Sequence, residues 1–260
     1  MGVRKGLILA AGNGSRLQPT LQRVPKPLMS VGGMPLLRRV VLHAQKAGVN
    51  HFVVVIGYQG QVVQDYFAQH PVAGVTLQWV QNDEYEKANG VSALKARREL
   101  REPFLLMMSD HIFDPRAARA LLQQLLLDDQ VVLGIDRKLD LIFDIEDATK
   151  VRLAGDWITD IGKALDDYDA IDTGMFLCSP ALFDALQASL KDGDCALSDG
   201  MRYLAHRRRL RAFDIQDAFW CDVDTPEAGH HAEMLLRQRL DSRIESASST
   251  PHTRLASMST

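Results

Sequence analysis

Three groups of residues carry the chemistry legible in this chain. The first is "LAAGNGSRL", Leu9 to Leu17, followed after a short gap by "PKPL", Pro25 to Leu28. Glycine allows the backbone angles and close approach that a concave ring of N–H groups requires, so Gly12, Gly14 and Ser15 suit a cradle for anionic oxygens. Arg16 adds a rigid charged fork, and Lys26, braced by Pro25 and Pro27, adds a point charge. A nest with two cations fits the triphosphate of a nucleotide. The second group is Asp110 in "MMSDH", at the carboxyl end of an apolar run, where open α/β sheets place their ligands. A carboxylate there suits an oxygen-preferring Mg²⁺. The third is "WCDVDTPE", which sets Asp222 and Asp224 ahead of the last helical segment.

Other readings of these residues fail on spacing. A dinucleotide-binding G-x-G-x-x-G needs a glycine where this chain has Leu17. A P-loop needs Ser or Thr after Gly-Lys, and Gly162-Lys163 is followed by Ala164. Asp222-Val223-Asp224 spells the D-x-D of metal-dependent glycosyltransferases, but that motif usually follows the middle strands, where this chain has Ser109-Asp110-His111.

The elements that must position these groups alternate. Strand-like runs are "VRKGLILAA", "HFVVVIGY", "VTLQWVQ", "PFLLMMSDH" and "VVLGID". Between them lie helical patterns: "MPLLRRVVLHAQKAGV" opened by Pro35 and closed at Gly48, "GQVVQDYFAQH", "GVSALKARREL", and "DPRAARALLQQLLLDD" with Asp114 as N-cap. This rhythm implies an α/β fold, a Rossmann-like mixed sheet, mostly parallel, with helices on both faces. Residues 139–178 break it with "KVRLAG", "WITDIG" and "AIDTGMFLC", which predict a small antiparallel β excursion forming a wall or lid. Helices are expected near 180–190 and 198–207, and a last one from Pro226 to about Leu240. Residues 1–240 are read as one domain, and the Ser/Thr-rich residues 241–260 as a disordered tail.

Composition bounds the partners. The chain has 260 residues, 46% hydrophobic and 24% charged, the balance of a globular protein. A net charge of −3 argues against nucleic acid, which needs a basic face. Cys178, Cys195 and Cys221 show no metal-site spacing and fit a reducing cytoplasm. The apolar run after Arg4 and Lys5 is too short for a secretory signal, and no stretch reaches the roughly 18 apolar residues of a membrane span.

"LAAGNGSRL…PKPL" resembles the signature of the sugar-1-phosphate nucleotidyltransferase superfamily. The resemblance implies the nucleotide-diphospho-sugar transferase type of fold and a loop that binds a nucleoside triphosphate. Carried onto this chain, Leu9, Ala10, Ala11, Gly12, Gly14, Ser15, Arg16 and Lys26 are the nucleotide-binding set, with Arg16 and Lys26 on the phosphates. It also implies a metal pair of Asp110 and Asp224, and a lysine after a β-hairpin, Lys163, on the acceptor phosphate; Asp222 is either a support behind that pair or simply a strand-end charge. Arg16, Lys26, Asp110 and Lys163 form the catalytic set. "EKANGVSALKARREL", "MSDHIFDP", "EDATKVRL", "ITDIGKAL" and "YDAIDTGMF" are similar to cytidylyltransferases that act on inositol phosphate and make CDP-inositol for lipids and osmolytes. There Asn89, Gly90 and Ser92 flank the base or ribose, and Asp172, Thr173 and Gly174 meet the acceptor.

The implied reaction joins CTP and a phosphorylated alcohol, inositol 1-phosphate, in a Mg²⁺-dependent transfer that releases pyrophosphate. Phosphocholine and hexose-1-phosphate nucleotidyltransferases stay as alternatives, with a glycosyltransferase or a non-catalytic regulatory module behind them. The aspartates around "DDYDAIDTG" suit a polyol better than a quaternary ammonium, which favours an aromatic cage. The expected consumer of the product is a separate membrane-bound CDP-alcohol phosphotransferase. The oligomeric state is not encoded in any of these motifs.

Overall fold

The computed structural model describes residues 2–14 and 24–248. Its strands are β1 (Lys5–Ala10), β2 (Ser30–Val31), β3 (Met34–Pro35), β4 (His51–Ile56), β5 (Thr76–Gln81), β6 (Phe104–Met108) and β7 (His111–Phe113). They continue as β8 (Val131–Asp136), β9 (Lys150–Ala154), β10 (Trp157–Gly162), β11 (Ala170–Cys178), β12 (Leu210–Asp214) and β13 (Trp220–Asp222). The helices are α1 (Leu36–Ala47), α2 (Gly60–Gln69), α3 (Asn89–Lys95), α4 (Pro115–Leu121), α5 (Ala181–Ser189), α6 (Leu197–Ala205) and α7 (Pro226–Ser248).

Nine strands form one sheet in the order β5-β4-β1-β6-β11-β8-β12-β10-β9. The pairings β5–β4, β4–β1, β1–β6 and β8–β12 are parallel. β11 enters between β6 and β8 against both, and the β9–β10 hairpin closes the far edge. Seven strands, β9 included, therefore share one direction with β11 and β10 reversed among them, and the carboxyl ends of the parallel strands open on one side. The antiparallel excursion expected over residues 139–178 is thus β9, β10 and β11, and β11 is woven into the sheet centre.

Residues on alternate faces of a strand build separate cores. Leu7 and Leu9 pack with Ala93 of α3, Phe183 of α5 and Met201 of α6. Ile8 and Ala10 pack with Val40 of α1, Phe67 of α2 and Leu121 of α4. Phe104 and Phe183 are fully buried and stack with centroids 5.4 Å apart. Burying such rings contributes roughly 1.5–3 kcal/mol each.

Local signals end the helices as expected in several places. Gly48 closes α1 in the left-handed region at φ 114°. Asp114 caps α4, its carboxylate accepting from Arg116 N–H at 2.9 Å, with Pro115 in the first turn. Helices α3 and α4 are shorter than their apolar periodicity suggests. After Lys95 the chain tightens into turns that carry Leu100 into the core. After Leu121 similar turns leave Leu125 and Leu127 exposed. Helix α7 runs to Ser248, beyond the Leu240 limit read from the sequence, through a stretch rich in helix-forming Arg, Gln, Leu and Glu. The rest of the expected tail, 249–260, lies outside the described residues.

A third, small cluster holds the ribbon that borders the polar end of the sheet. Val31, Leu36, Ile112, Cys221, Val223 and Ala232 are buried together and bind the two-stranded β7–β13 ribbon to α7. No helix among the described residues is long and apolar enough to cross a membrane.

Candidate active site

The carboxyl ends of β1 and β6 meet the β7–β13 ribbon, and the polar residues gather there. Lys26 stands in a short 3₁₀ turn, Lys26–Leu28, that the flanking prolines predispose. Its side chain is buried, and its ammonium contacts Asp110 Oδ2 at 2.5 Å and also Asp224 Oδ1. Asp110 follows β6, and its carbonyl accepts from Val223 N–H at 3.1 Å, which ties the end of β6 to the chain between Asp222 and Asp224.

Two cavities meet at this cluster. The smaller, about 250 Å³, is walled by residues 9–14, Lys26, Asn89, Ser92, Asp110 and Asp224. The larger, about 800 Å³, shares Asn89, Met108 and Asp224 with it. It runs on past His111, Lys138, Lys163, Asp172, Asp222 and Trp220.

Most of the residues singled out in the sequence fall on these walls. Leu9, Ala10, Ala11, Gly12 and Gly14 line the smaller cavity, and Gly14 takes φ 61°, an angle that suits glycine. Ser15 and Arg16 lie outside the described residues. Asn89 and Ser92 reach the same wall, but both side chains are also engaged in the scaffold. Asn89 Oδ1 accepts from Leu197 N–H at 2.8 Å, and Ser92 Oγ accepts from Asn82 Nδ2 at 2.9 Å. Gly90 sits behind the wall, its N–H donating to Cys195 O at 3.1 Å, and lines neither cavity. A Cβ there would approach that oxygen to 2.6 Å, so the glycine serves the close packing of α3 against the chain leading into α6.

The acceptor-side residues divide similarly. Lys163 follows β10, as a hairpin lysine should, and lines the larger cavity while pairing with Asp147 at 2.7 Å. Asp172 and Gly174 line it too. Thr173 departs from expectation: its side chain is fully buried and donates to Gly134 O at 2.7 Å. Strand alternation explains this, since neighbours of Asp172 on β11 point through the opposite face. Its carbonyl, however, accepts from His111 Nδ1–H at 2.9 Å.

Electrostatics of the cluster follow from burial and mutual charge. Burial works against the Lys26 ammonium, but Asp110, Asp224 and Asp222 outweigh it and hold its pKa above the ordinary lysine value. Burial opposes the Asp222 carboxylate, yet His111 and Lys26 keep it well below the usual range. Asp224 is raised by burial and by the neighbouring Asp222 carboxylate. His111 is raised to about 10, because Asp222 and Asp110 overcome its burial. Burial lifts Asp172 to about 6.

The donor set fits a divalent cation. Asp110, His111 and Asp222 present ligand atoms that all lie within 4.8 Å of one another. Asp222 Oδ1 is buried and makes no hydrogen bond among the described residues, an arrangement a cation would satisfy. Asp224, expected as the second metal carboxylate, pairs with Lys26 as Asp110 does, and it lines both cavities. His111 and the central placement of Asp222 were not picked out in the sequence. The available signals were a histidine directly after the strand-end Asp110 and the alternation in Asp222-Val223-Asp224, which sends both carboxylates to one side.

The chain is similar to several known proteins. A bifunctional IPC transferase and DIPP synthase of Aquifex aeolicus is 33% identical over 236 residues, 90% of this chain and 52% of that protein. A protein of the same description from Rubrobacter xylanophilus is 36% identical over 222 residues, 85% of this chain and 49% of the relative. The chain thus spans about half the length of these curated relatives. The solved structure of the inositol-1-phosphate CTP transferase from T. maritima matches with TM-score 0.78 at 27% identity, covering 88% of this chain and 92% of that one. A UDP-glucose pyrophosphorylase complexed with UDP-glucose matches with TM-score 0.77 at 19% identity, a likeness of fold alone. The model of the MobA-like NTP transferase domain matches residues 6–213, most of the sheet and all of its parallel strands, so the chain belongs to that family.

Proposed function

We propose that this domain is a cytidylyltransferase that joins CTP to inositol 1-phosphate, giving CDP-inositol and pyrophosphate. The observation that carries this reading is the meeting of two cavities at Asn89, Met108 and Asp224, the last paired with the Lys26 that also holds Asp110. One is walled by the glycine loop and one by carboxylates and lysines. The names of the relatives and of the T. maritima structure supply the nucleotide and the acceptor.

In this reading the triphosphate lies along residues 9–14, with Arg16 on the β- and γ-phosphates and Lys26 on the α-phosphate. Lys26 leaves one of its carboxylates as nucleotide binds, exchanging a carboxylate oxygen for a phosphate oxygen. Lys163 meets the acceptor phosphate from the hairpin, and Asp172 accepts from a polyol hydroxyl. The acceptor phosphate is already an anion, so a general base is unnecessary and catalysis rests on alignment and charge neutralisation. Asp110 with Asp222 and Asp224 would hold Mg²⁺, which supplies Lewis-acid stabilisation of the phosphate charge when bound. An oxygen of the acceptor phosphate attacks the α-phosphorus, and the bond to the pyrophosphate oxygen opposite it breaks. The product would pass to a membrane-bound CDP-alcohol phosphotransferase from the cytoplasm.

The test is pyrophosphate release by the purified protein with Mg²⁺, crossing CTP, UTP, GTP and dTTP against inositol, choline, ethanolamine, glycerol and hexose phosphates. A maximum at CTP with inositol 1-phosphate is expected. Phe143, Phe219 and Trp220 also line the larger cavity, and aromatic faces attract a quaternary ammonium, so phosphocholine is the second acceptor to watch. A maximum there would keep the chemistry and change the substrate. Release with none of the pairs would overturn the reading.

A further inference from the structure

We infer that His111 is a positioning residue, a clamp that turns the Asp222 carboxylate toward Asp110 so that both present oxygens to one divalent cation. This rests on the nucleotidyltransferase reading for its purpose, but its geometry stands by itself.

The β7–β13 ribbon sets His111 directly opposite Asp222 in antiparallel register. Side chains of such pairs lie on one face with Cβ atoms about 5 Å apart, within reach of a carboxylate and an imidazole. The imidazole Nε2 lies 3.6 Å from Asp222 Oδ1 and 3.9 Å from Asp110 Oδ1, between the two acids. Its other nitrogen is spoken for: Nδ1–H donates to Thr173 O at 2.9 Å. That bond fixes the ring plane and directs Nε2 at the carboxylates. Trp220, two residues before Asp222 in the ribbon, lies across the ring with centroids 5.8 Å apart.

Gly174 shows how closely the ring is seated. A Cβ at this position would run into His111 Nδ1 and fall 2.5 Å from Cε1, so the ring would have to shift from its seat. The residue also takes φ 74°, which disfavours any side chain. The main chain of β11 has therefore left a slot of the shape of this ring. The buried Asp222 Oδ1 makes no hydrogen bond among the described residues, and the His111 Nε2 at 3.6 Å is the cationic group the ribbon sets against it.

A direct metal–imidazole bond is the competing role, since His111 belongs to the donor cluster. Mg²⁺ is hard and takes oxygen ligands, and the ring nitrogen faces two carboxylate oxygens. Orientation of a ligand by a neighbouring hydrogen-bonding group is a known source of metal affinity, typically about 10–100-fold.

Asn and Gln separate the two nitrogens of the ring. An Asn at 111 can imitate the Nδ1 bond to Thr173 O but falls short of Asp222, whereas Gln reaches Asp222. Mn²⁺ alone serves as the probe, titrated into the full chain by EPR without nucleotide. His111→Asn and Gly174→Ala are expected to weaken Mn²⁺ binding by about tenfold or more, and His111→Gln by no more than about threefold. Pulsed EPR of the Mn²⁺-loaded wild type is expected to show no directly bonded nitrogen. Wild-type affinity in His111→Asn, or a bonded nitrogen, overturns the inference. If Gly174→Ala does not fold, the Asn–Gln contrast still decides. Because the readout is metal affinity, a protein that shows this contrast yet releases no pyrophosphate would keep the clamp and lose the proposed reaction.

Discussion

Lys26 stands between Asp110 and Asp224, and its placement determines what either acid can do in the absence of ligand. Both carboxylates have a counter-charge in the absence of ligand, and in the proposed reading nucleotide and cation binding need only an exchange of partners. Removing one negative charge leaves that exchange without a destination. Asp110→Asn is expected to lower turnover by about a hundredfold or more while the circular dichroism spectrum and melting temperature stay near wild type. A purified variant with near-normal turnover would discard the metal role of Asp110. Asp172 sits deeper in the larger cavity, with its carboxylate accepting from Gly174 N–H at 2.7 Å and retaining capacity for a hydroxyl. Asp172→Asn should raise the acceptor KM roughly tenfold and leave the CTP KM unchanged, as expected when one charge-assisted hydrogen bond is weakened. Equal effects on both substrates would place Asp172 in the scaffold instead.

At the scale of elements, the joint between α3 and α6 backs the wall of the smaller cavity, where the proposed reading puts the nucleotide. Asn89 at the start of α3 accepts from the first residue of α6, and Asp199 returns a bond to Ala196 N–H at 2.9 Å. Gly90 is where the two backbones touch. Gly90→Ala forces a Cβ against Cys195 O and Sγ, and overpacking of this kind costs about 1–3 kcal/mol. The expected outcome is a lower midpoint in urea together with weaker CTP binding, because the shifted α3 carries Asn89 and Ser92. A stable variant with unaltered CTP affinity would show that the joint gives without moving the wall. The β7–β13 ribbon is the other deciding element. It is only three pairs long, yet it brings the residue after Asp110 against Asp222, and the small cluster under α7 keeps it there.

At the scale of the whole molecule, stability depends on pH through at least one group remote from the site. His43 on α1 is mostly buried, with its Nδ1–H donating to Phe113 O at 2.6 Å, and burial lowers its pKa to about 4. The unfolded chain returns that value to about 6.5, so between pH 6.5 and 4 the unfolded state binds more protons. Stability contributed by the neutral ring is therefore complete above about pH 6.5 and falls as the pH drops toward 4, by about 1–3 kcal/mol. Denaturation midpoints measured across this window should slope downward for the wild type and flatten in His43→Gln. An unchanged slope in the variant would assign the acid sensitivity elsewhere.

Local order was open to reading from the sequence because its causes are local. Apolar runs of strand length, Gly48 closing α1, Asp114 and Pro115 opening α4, and the glycine loop with Lys26 each follow from backbone angles and capping within a few residues. The candidate nucleotide wall is legible for the same reason, since residues 9–14 are contiguous. Thr173 was misplaced because the face of a strand depends on register, and β11 takes its register from β6 and β8, which precede it by tens of residues. His111 and Asp222 are 111 positions apart in number and opposite each other in space, and no spacing rule connects them. Only the fold decides such pairs. The chain supplies the charges by itself, but which carboxylate meets Lys26 and which meets His111 is settled by how the ribbon, α7 and β6 pack, because side chains reach only a few ångströms from the backbone that carries them.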